Sequence, residues 1–216
     1  MIFPKWTNYI APILLFKAVL GLLIAGFVFW YWLSPANLEV GYQPKQPINY
    51  SHKLHAGELG MDCRYCHYTV EDAASAAIPP TEVCMNCHTL IKTNSAGDST
   101  EISKITKSYE SGQPIEWVKV HQLPDYVYFN HSRHINSGVS CVTCHGRVDQ
   151  MEVVYQAKPL SMGWCLECHR AVEGKIRPLS LVTDLAWKEE ELDFIAPELI
   201  QAYGVAPRED CNTCHR

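Results

Sequence analysis

The chain has 216 residues and a formal net charge of -5, with 18 lysines and arginines against 23 aspartates and glutamates. This length allows one or two small domains, and the sequence has no nucleic-acid-binding signature. Ten cysteines are more than an ordinary enzyme of this size carries.

The N-terminal region is apolar. Ile13 to Leu33 contains 21 residues with Lys17 as the only charge, which is long enough at helical rise to cross about 30 Å of hydrocarbon. A cleaved signal peptide is the alternative, but its apolar core is normally shorter, about 7 to 15 residues. We therefore predict an uncleaved anchor, and Lys5 and Lys17 predict that the N-terminus is cytoplasmic and the rest of the chain is exported.

The cysteines follow one rule. All ten lie in C-x-x-C pairs, and a histidine follows each pair at once. The pairs are Cys63/Cys66, Cys84/Cys87, Cys141/Cys144, Cys165/Cys168 and Cys211/Cys214, and the histidines are His67, His88, His145, His169 and His215. C-x-x-C-H is the attachment motif of c-type haem, in which the two thioethers hold the porphyrin and the histidine reaches the iron. The sequence thus predicts five covalently bound haem c groups.

Two other uses of C-x-x-C pairs fit less well. A disulfide framework explains an even cysteine count but not the trailing histidines. Zinc ribbons use such pairs two at a time, and five pairs cannot be divided that way.

Five histidines remain outside the motifs, one for each predicted iron. They are His52, His55, His121, His131 and His134, and the equal numbers favour two histidine ligands on every iron. His121 lies outside the repeated pattern described next. Met151 or Met162 is the alternative ligand at one iron, although a methionine beside a porphyrin more often fills space.

An internal repeat organises the haem region. Tyr50-Ser-His52-Lys-Leu-His55 precedes Cys63 much as Phe129-Asn-His131-Ser-Arg-His134 precedes Cys141, and a second attachment motif follows each block. We predict an anchor over residues 1–34, a proline-containing linker over 35–49 and an exported haem domain over 50–216. Within that domain, haem pairs occupy 50–93 and 115–170 and a fifth haem occupies 171–216. The fold class is mainly irregular and α-helical.

Three further segments have local patterns. Residues 93–100 are small and polar and predict a loop. Glu116 to Gln122 alternates enough to predict a short strand that carries His121. Trp187 to Tyr203 predicts a helix that restarts at Pro197 and ends at Gly204.

The paired histidines ahead of C-x-x-C-H resemble those of the cytochrome c3 and c7 families, over about Tyr50 to Arg170. The resemblance implies that His52 and His131 bind the haem that follows each of them. It also implies that His55 and His134 reach neighbouring haems.

The chain as a whole resembles the pentahaem cytochrome c subunit of bacterial alternative complex III, a quinol:electron acceptor oxidoreductase. The likeness rests on the N-terminal span, the five motifs, Pro114 to Asp125 and Phe129 to Gly146. It implies an electron-transfer subunit, not an enzyme on its own, at the periplasmic side of the bacterial inner membrane. The implied partners are an iron-sulfur subunit of the molybdopterin-oxidoreductase type, integral quinol-binding subunits and a monohaem cytochrome c. A terminal oxidase or a soluble carrier is the implied acceptor.

Two other classes remain open. A NapC-type quinol dehydrogenase, feeding a periplasmic reductase, shares the N-terminal span and the multiple haems. A multihaem reductase needs an iron with an open position, whereas all five motifs here end in histidine and five spare histidines are available.

Overall fold

The computed structural model describes residues 4–32, 39–187 and 192–215, with side chains from 195 onward in the last range. It divides into two compact units, Met1–Glu39 and Val40–Arg216. The end of the predicted span at Leu33, residues 35–38 of the predicted linker and residues 188–191 of the last predicted helix lie outside the described residues.

The first unit is one long apolar helix. A 3-10 turn, Lys5–Tyr9, leads into an α-helix, α1, Ile10–Trp32. The most apolar 18-residue window within Lys5–Trp32 has a mean hydropathy of 2.4, and none of that window is buried. A helix of this length and composition can cross a membrane.

The second unit consists of short helices joined by irregular segments. Its α-helices are α2 Cys63–Cys66, α3 Thr81–His88, α4 Thr100–Ser111, α5 His131–Ile135, α6 Cys141–His145, α7 Met162–Arg170, α8 Leu192–Ala202 and α9 Cys211–Cys214. A π-helix forms Lys53–Glu58, and 3-10 turns form Val148–Gln150, Glu173–Lys175 and Leu179–Leu181. The described residues form two isolated bridges, Val127 with His215 and Val139 with Ile176, and no regular strand. The mainly irregular and helical architecture is therefore confirmed.

Three local predictions have mixed outcomes. The loop over 93–99 is confirmed, and α4 begins at Thr100 with a helix that the sequence analysis missed. The predicted strand over Glu116 to Gln122 is wrong, because that segment is irregular. Its backbone bonds a side chain and not another strand: the Gln46 amide donates to the Val118 carbonyl and accepts from the Val118 N–H. The last helix runs through Pro197 and does not restart there, whereas its predicted end is confirmed by Gly204 with φ +60.

The apolar interior of this unit is small. One cluster contains Ile48, Met85 and Ile105, and a second contains Val70, Ile135 and Val182. Ile48 belongs to the predicted linker, so the C-terminal part of that linker packs against the haem unit. Attachment cysteines Cys84 and Cys141 border the two clusters, which places the candidate sites at the edge of the interior.

Candidate haem-binding sites

The cysteine pair of each C-x-x-C-H motif lies on a short helix, and the histidine is in that helix or directly follows it. The five helices are α2, α3, α6, α7 and α9. Two cysteines three positions apart share one helix face, so both thiols of a motif point to the same side. None of the ten cysteines, all within the described residues, is in a disulfide. The thiols are therefore available for thioether bonds.

Hydrogen bonds donated by Nδ1 orient the motif histidines. In four of the five, Nδ1 donates to a backbone carbonyl: His67 to Ala77 at 2.7 Å, His88 to Ile91 at 3.0 Å, His169 to Arg208 at 2.8 Å and His215 to Tyr126 at 3.3 Å. A donor at Nδ1 fixes the tautomer and leaves Nε2 as the lone-pair nitrogen. Nε2 is thus the atom that can bind a metal.

Three spare histidines have the same orientation. His55 bonds the Ser51 carbonyl at 2.8 Å, His131 the Ala74 carbonyl at 2.9 Å and His134 the Asn130 carbonyl at 2.8 Å, each through Nδ1. His52 differs, because its Nδ1 is buried without a hydrogen-bond partner.

Three spare histidines lie opposite motif histidines across a gap. The ring centres are 6.3 Å apart for His55 and His88, 6.4 Å for His131 and His145, and 6.2 Å for His134 and His169. A metal–imidazole bond is about 2 Å long and the ring centre lies about 1 Å beyond the nitrogen, so two imidazoles on one metal have centres about 6 Å apart. Each gap is therefore the right width for one iron.

The two sequence repeats have the same local geometry. Tyr50 meets His52 edge-on at 4.8 Å and stacks on His55 at 4.4 Å. Phe129 meets His131 edge-on at 4.7 Å and stacks on His134 at 4.5 Å. One aromatic ring thus holds both histidines of each block, and sequence reasoning missed this role although the aromatic residue stands at the same place in both repeats.

The repeats also support each other through equivalent hydrogen bonds. Ser132 N donates to the Ala73 carbonyl at 3.1 Å, six residues after His67. Lys53 N donates to the Met151 carbonyl at 3.0 Å, six residues after His145. Lys53 and Ser132 are the residues that follow the first histidine of each block. The loop after one attachment site therefore holds the histidine block of the other repeat, in both directions.

The cysteine contacts give the order of the sites. Burial, with the neighbouring thiols of Cys84 and Cys63, raises the pKa of Cys66, so the first and second sites are neighbours. The neighbouring thiol of Cys63, with burial, raises the pKa of Cys141, so the first and third sites are neighbours.

The same reasoning extends to the other two sites. Burial, then the thiols of Cys168 and Cys165, raises the pKa of Cys144 to about 12, and burial with Cys214 raises that of Cys165. The order is second, first, third, fourth, fifth. The exposed attachment cysteines, Cys87 and Cys211, belong to the second and fifth sites, which are the two ends.

Burial keeps the central histidines neutral. Desolvation, with nearby histidines, lowers the pKa of His145 to about 3 and that of His52 to about 4. It also lowers the pKa of His134 and His121. Neutral imidazole is the form that binds metals or accepts a hydrogen bond, so burial keeps these residues in the form that either role requires.

The remaining candidate ligands lie elsewhere. His121 contacts a motif histidine directly: its Nε2 is 3.3 Å from Nδ1 of His145 and the rings are 4.4 Å apart. Met151 is buried beside Gly146, which fits packing, and Met162 is 66% exposed at the start of α7.

Comparisons with known proteins agree with this geometry. Residues 33–116 match the class III cytochrome C family, and residues 127–216 match the family of cytochrome c7 and related cytochrome c. The chain is also 35% identical over 123 residues to the menaquinone reductase multihaem cytochrome c subunit of Nitratidesulfovibrio vulgaris. That region covers 57% of this chain and 55% of the relative, so the chain spans little more than half the length of this relative.

The free thiols, the oriented Nε2 atoms and the iron-sized gaps fit covalently bound haem c, which the two matched cytochrome families also carry. The first match ends at residue 116 and the second begins at residue 127, so the two histidine blocks, 50–55 and 129–134, fall in different matches. The chain therefore has the fold of a c3/c7-like multihaem cytochrome c, with one N-terminal apolar helix that can span a membrane.

Proposed function

We propose that this chain is a membrane-anchored pentahaem c-type cytochrome. In this proposal it relays electrons as a subunit of a quinol-oxidising respiratory or photosynthetic complex. The observation that carries the proposal is the set of three opposed histidine pairs, whose ring centres lie 6.2, 6.3 and 6.4 Å apart. A shared metal accounts for this separation in all three pairs.

The residues divide into three roles. The ten cysteines form the thioethers and the five motif histidines bind iron from one side. His131 and His134 bind from the other side at the third and fourth sites, and His55 does so at the second. We assign His52 to the first site, since the imidazole of His67 is near enough to contribute to its lowered pKa. Bound haem iron supplies one-electron redox chemistry.

The site order suggests where partners bind. The central sites are covered by the two repeats, whereas the second and fifth sites each have an exposed cysteine. A partner can approach these two ends most closely. We propose that an iron-sulfur subunit of the molybdopterin-oxidoreductase type docks at one end. A monohaem cytochrome c, a terminal oxidase or a soluble carrier would accept electrons at the other.

The anchor sets the location in this proposal. The apolar helix over Lys5–Trp32 would cross the bacterial inner membrane, with the N-terminus in the cytoplasm and the haem unit in the periplasm. Integral quinol-binding subunits would then be neighbours of this helix. By itself the chain would catalyse no reaction.

A second candidate function reverses the direction of electron flow. The similar protein from Nitratidesulfovibrio vulgaris is a subunit of a menaquinone reductase, which delivers electrons to a quinone. The same line of sites serves either direction, because the protein tunes each potential through ligands, burial and hydrogen bonds. The potentials relative to the quinone couple therefore decide between the two candidates.

The first test uses the full-length chain purified in detergent from a host that attaches haem c. We expect a mass increase equal to five haems and a pyridine haemochrome count of five. Fewer than five haems on intact chains would contradict the pentahaem assignment. A variant with Cys211 and Cys214 replaced by serine is the matched control, and it should carry one haem fewer.

The second test mixes the same protein with a menaquinol analogue in a stopped-flow spectrometer. We expect no haem reduction by the analogue on its own, but full reduction by dithionite. Rapid reduction by the analogue would instead favour a NapC-type quinol dehydrogenase. A redox titration then fixes the direction: haem potentials above the quinone couple support quinol oxidation, and potentials below it support quinone reduction.

A further inference from the structure

His145 is the exception among the motif histidines. In the other four, Nδ1 bonds a backbone carbonyl, whereas Nδ1 of His145 faces Nε2 of His121 at 3.3 Å. His145 also lies nearly parallel to His131, with an interplanar angle of 8° and 6.4 Å between ring centres. His145 thus borders both the iron-sized gap to His131 and the ring of His121.

The repeat shows what His121 replaces. His67 is the equivalent of His145, and its Nδ1 bonds the carbonyl of Ala77, ten residues later. The residue ten positions after His145 is Tyr155, but the hydrogen bond of His145 goes to His121 instead. A side-chain nitrogen from a different segment therefore takes the place of a carbonyl from the loop after the motif.

The segment that carries His121 is held in place. The Gln46 amide bonds the backbone of Val118 at 2.9 and 2.8 Å, and Trp117 packs against the cluster of Ile48, Met85 and Ile105. The two imidazoles meet edge-on, with an interplanar angle of 84°. In this arrangement the Nε2 lone pair of His121 can accept the Nδ1 proton of His145.

We propose that His121 is a positioning residue for His145 and not an axial ligand of any haem. Its Nε2 accepts the hydrogen bond from Nδ1 of His145, which fixes the His145 tautomer and strengthens Nε2 of His145 as a donor. A stronger donor favours ferric over ferrous iron, so this contact lowers the potential of the third site. This role for His121 leaves four spare histidines as iron ligands, whereas the sequence analysis matched five spare histidines to five irons.

The experiment compares two variants of the full-length protein. His121→Ala removes the acceptor, and His121→Gln keeps an acceptor oxygen on a side chain that is a poor haem ligand. We expect five covalent haems in both variants, with no more high-spin ferric signal and no more carbon monoxide binding than in the unchanged protein. We also expect the midpoint potential of one haem to rise in His121→Ala and to rise less in His121→Gln. A tenfold loss of preference for the ferric state corresponds to about 59 mV for a one-electron couple.

Two results would overturn the proposal. If either variant gains one high-spin haem that binds carbon monoxide, His121 is an axial ligand and the proposal is wrong. The proposal is also wrong if the titration of His121→Ala superimposes on that of the unchanged protein. His131→Ala is the matched control, since it removes the ring that is paired with His145 across the iron-sized gap and should produce the high-spin signal.

This inference rests on the proposed pentahaem function, but the two fail differently. If the motifs do not hold haem, the unchanged protein carries too few haems. If only the role of His121 is wrong, the unchanged protein carries five haems and a His121 variant becomes high-spin. His121→Gln, which preserves ring-sized polar volume, keeps the test decisive if His121→Ala does not accumulate.

Discussion

The assignment of His131 and His134 to different irons makes a sharp spectroscopic prediction. The two histidines lie one helical turn apart on α5, yet His131 faces His145 and His134 faces His169. His131→Ala should therefore remove a ligand from the third site, and His134→Ala should remove one from the fourth. Each variant should convert one low-spin haem to high-spin, so the integrated low-spin signal falls by the share of a single haem.

The ring planes identify which haem is lost. The planes of His131 and His145 differ by 8°, whereas those of His134 and His169 differ by 47°. Parallel imidazole planes split the iron d orbitals strongly and give a rhombic ferric spectrum, and tilted planes give a more axial one. Electron paramagnetic resonance of the oxidised protein should lose a rhombic component in His131→Ala and a more axial component in His134→Ala.

Arg133→Ala is the matched control, because Arg133 is exposed on the same helix between the two histidines. This variant should keep every low-spin component. The reasoning is refuted if both histidine variants lose the same component, or if the rhombic component survives His131→Ala. Haem counts by mass must equal five in all three variants for the comparison to hold.

Three further predictions concern stability. Gly138 has φ +83, and a Cβ there would lie 2.5 Å from the Arg177 carbonyl. Gly138→Ala should therefore cost about 2 to 5 kcal/mol from backbone strain and overpacking. Gly112→Ala, at φ +65 with open space around it, should lower the free energy of unfolding by only about 1 to 2 kcal/mol. Equal losses for the two variants in guanidinium unfolding would contradict the close approach at Gly138. Hydrogen bonds from Arg64, and then from Thr183, lower the pKa of Asp62 from 3.8 to about 2 against the opposing effect of burial. Asp62 is 44% exposed, so solvent screening leaves about 1 kcal/mol of stabilisation. That stabilisation is present above pH 3.8 and lost as the pH falls through about 2, so Asp62→Asn should be less stable at pH 7 and equal to the unchanged protein near pH 2. Tyr50→Phe keeps the ring that stacks on His55 and copies Phe129 of the other repeat, so its unfolding free energy should change by less than about 0.5 kcal/mol; loss of a low-spin component would show that the hydroxyl group is needed.

The attachment motifs and the repeat were predictable because they are local. A cysteine pair three positions apart occupies one helix face whatever surrounds it, and the spacing from His131 to His134 lets neighbouring side chains face two sites. The apolar helix was predictable for the same reason, since length and composition suffice. The two repeats could be aligned residue by residue before any contact was known.

The contacts between repeats were not predictable from local patterns. The thiol of Cys63 is near enough to that of Cys141 to raise its pKa, although 78 positions separate them in sequence, and loop carbonyls of one repeat bond the histidine block of the other. The contact between His121 and His145 was also not predictable, because a count of histidines assigns every spare histidine to an iron and says nothing about contacts between histidines. The strand predicted around it was wrong because the segment satisfies its backbone through Gln46.

The two central sites are near copies that differ at two hydrogen bonds. Nδ1 of His131 bonds the Ala74 carbonyl whereas Nδ1 of His52 has no partner, and the second difference lies at the motif histidines. His67 and His145 occupy equivalent positions. The loop after His67 accepts a hydrogen bond from Ser132 N, and the loop after His145 accepts the equivalent bond from Lys53 N. The acceptor at Nδ1 is a carbonyl for His67 and an imidazole nitrogen for His145. An imidazole nitrogen is the stronger acceptor, so the third site should have the lower potential of the two. His121→Gln replaces that nitrogen with an amide oxygen, like the acceptor of His67, and should bring the two central potentials closer together in a redox titration. If the gap between them stays unchanged, the difference between the central sites has another cause.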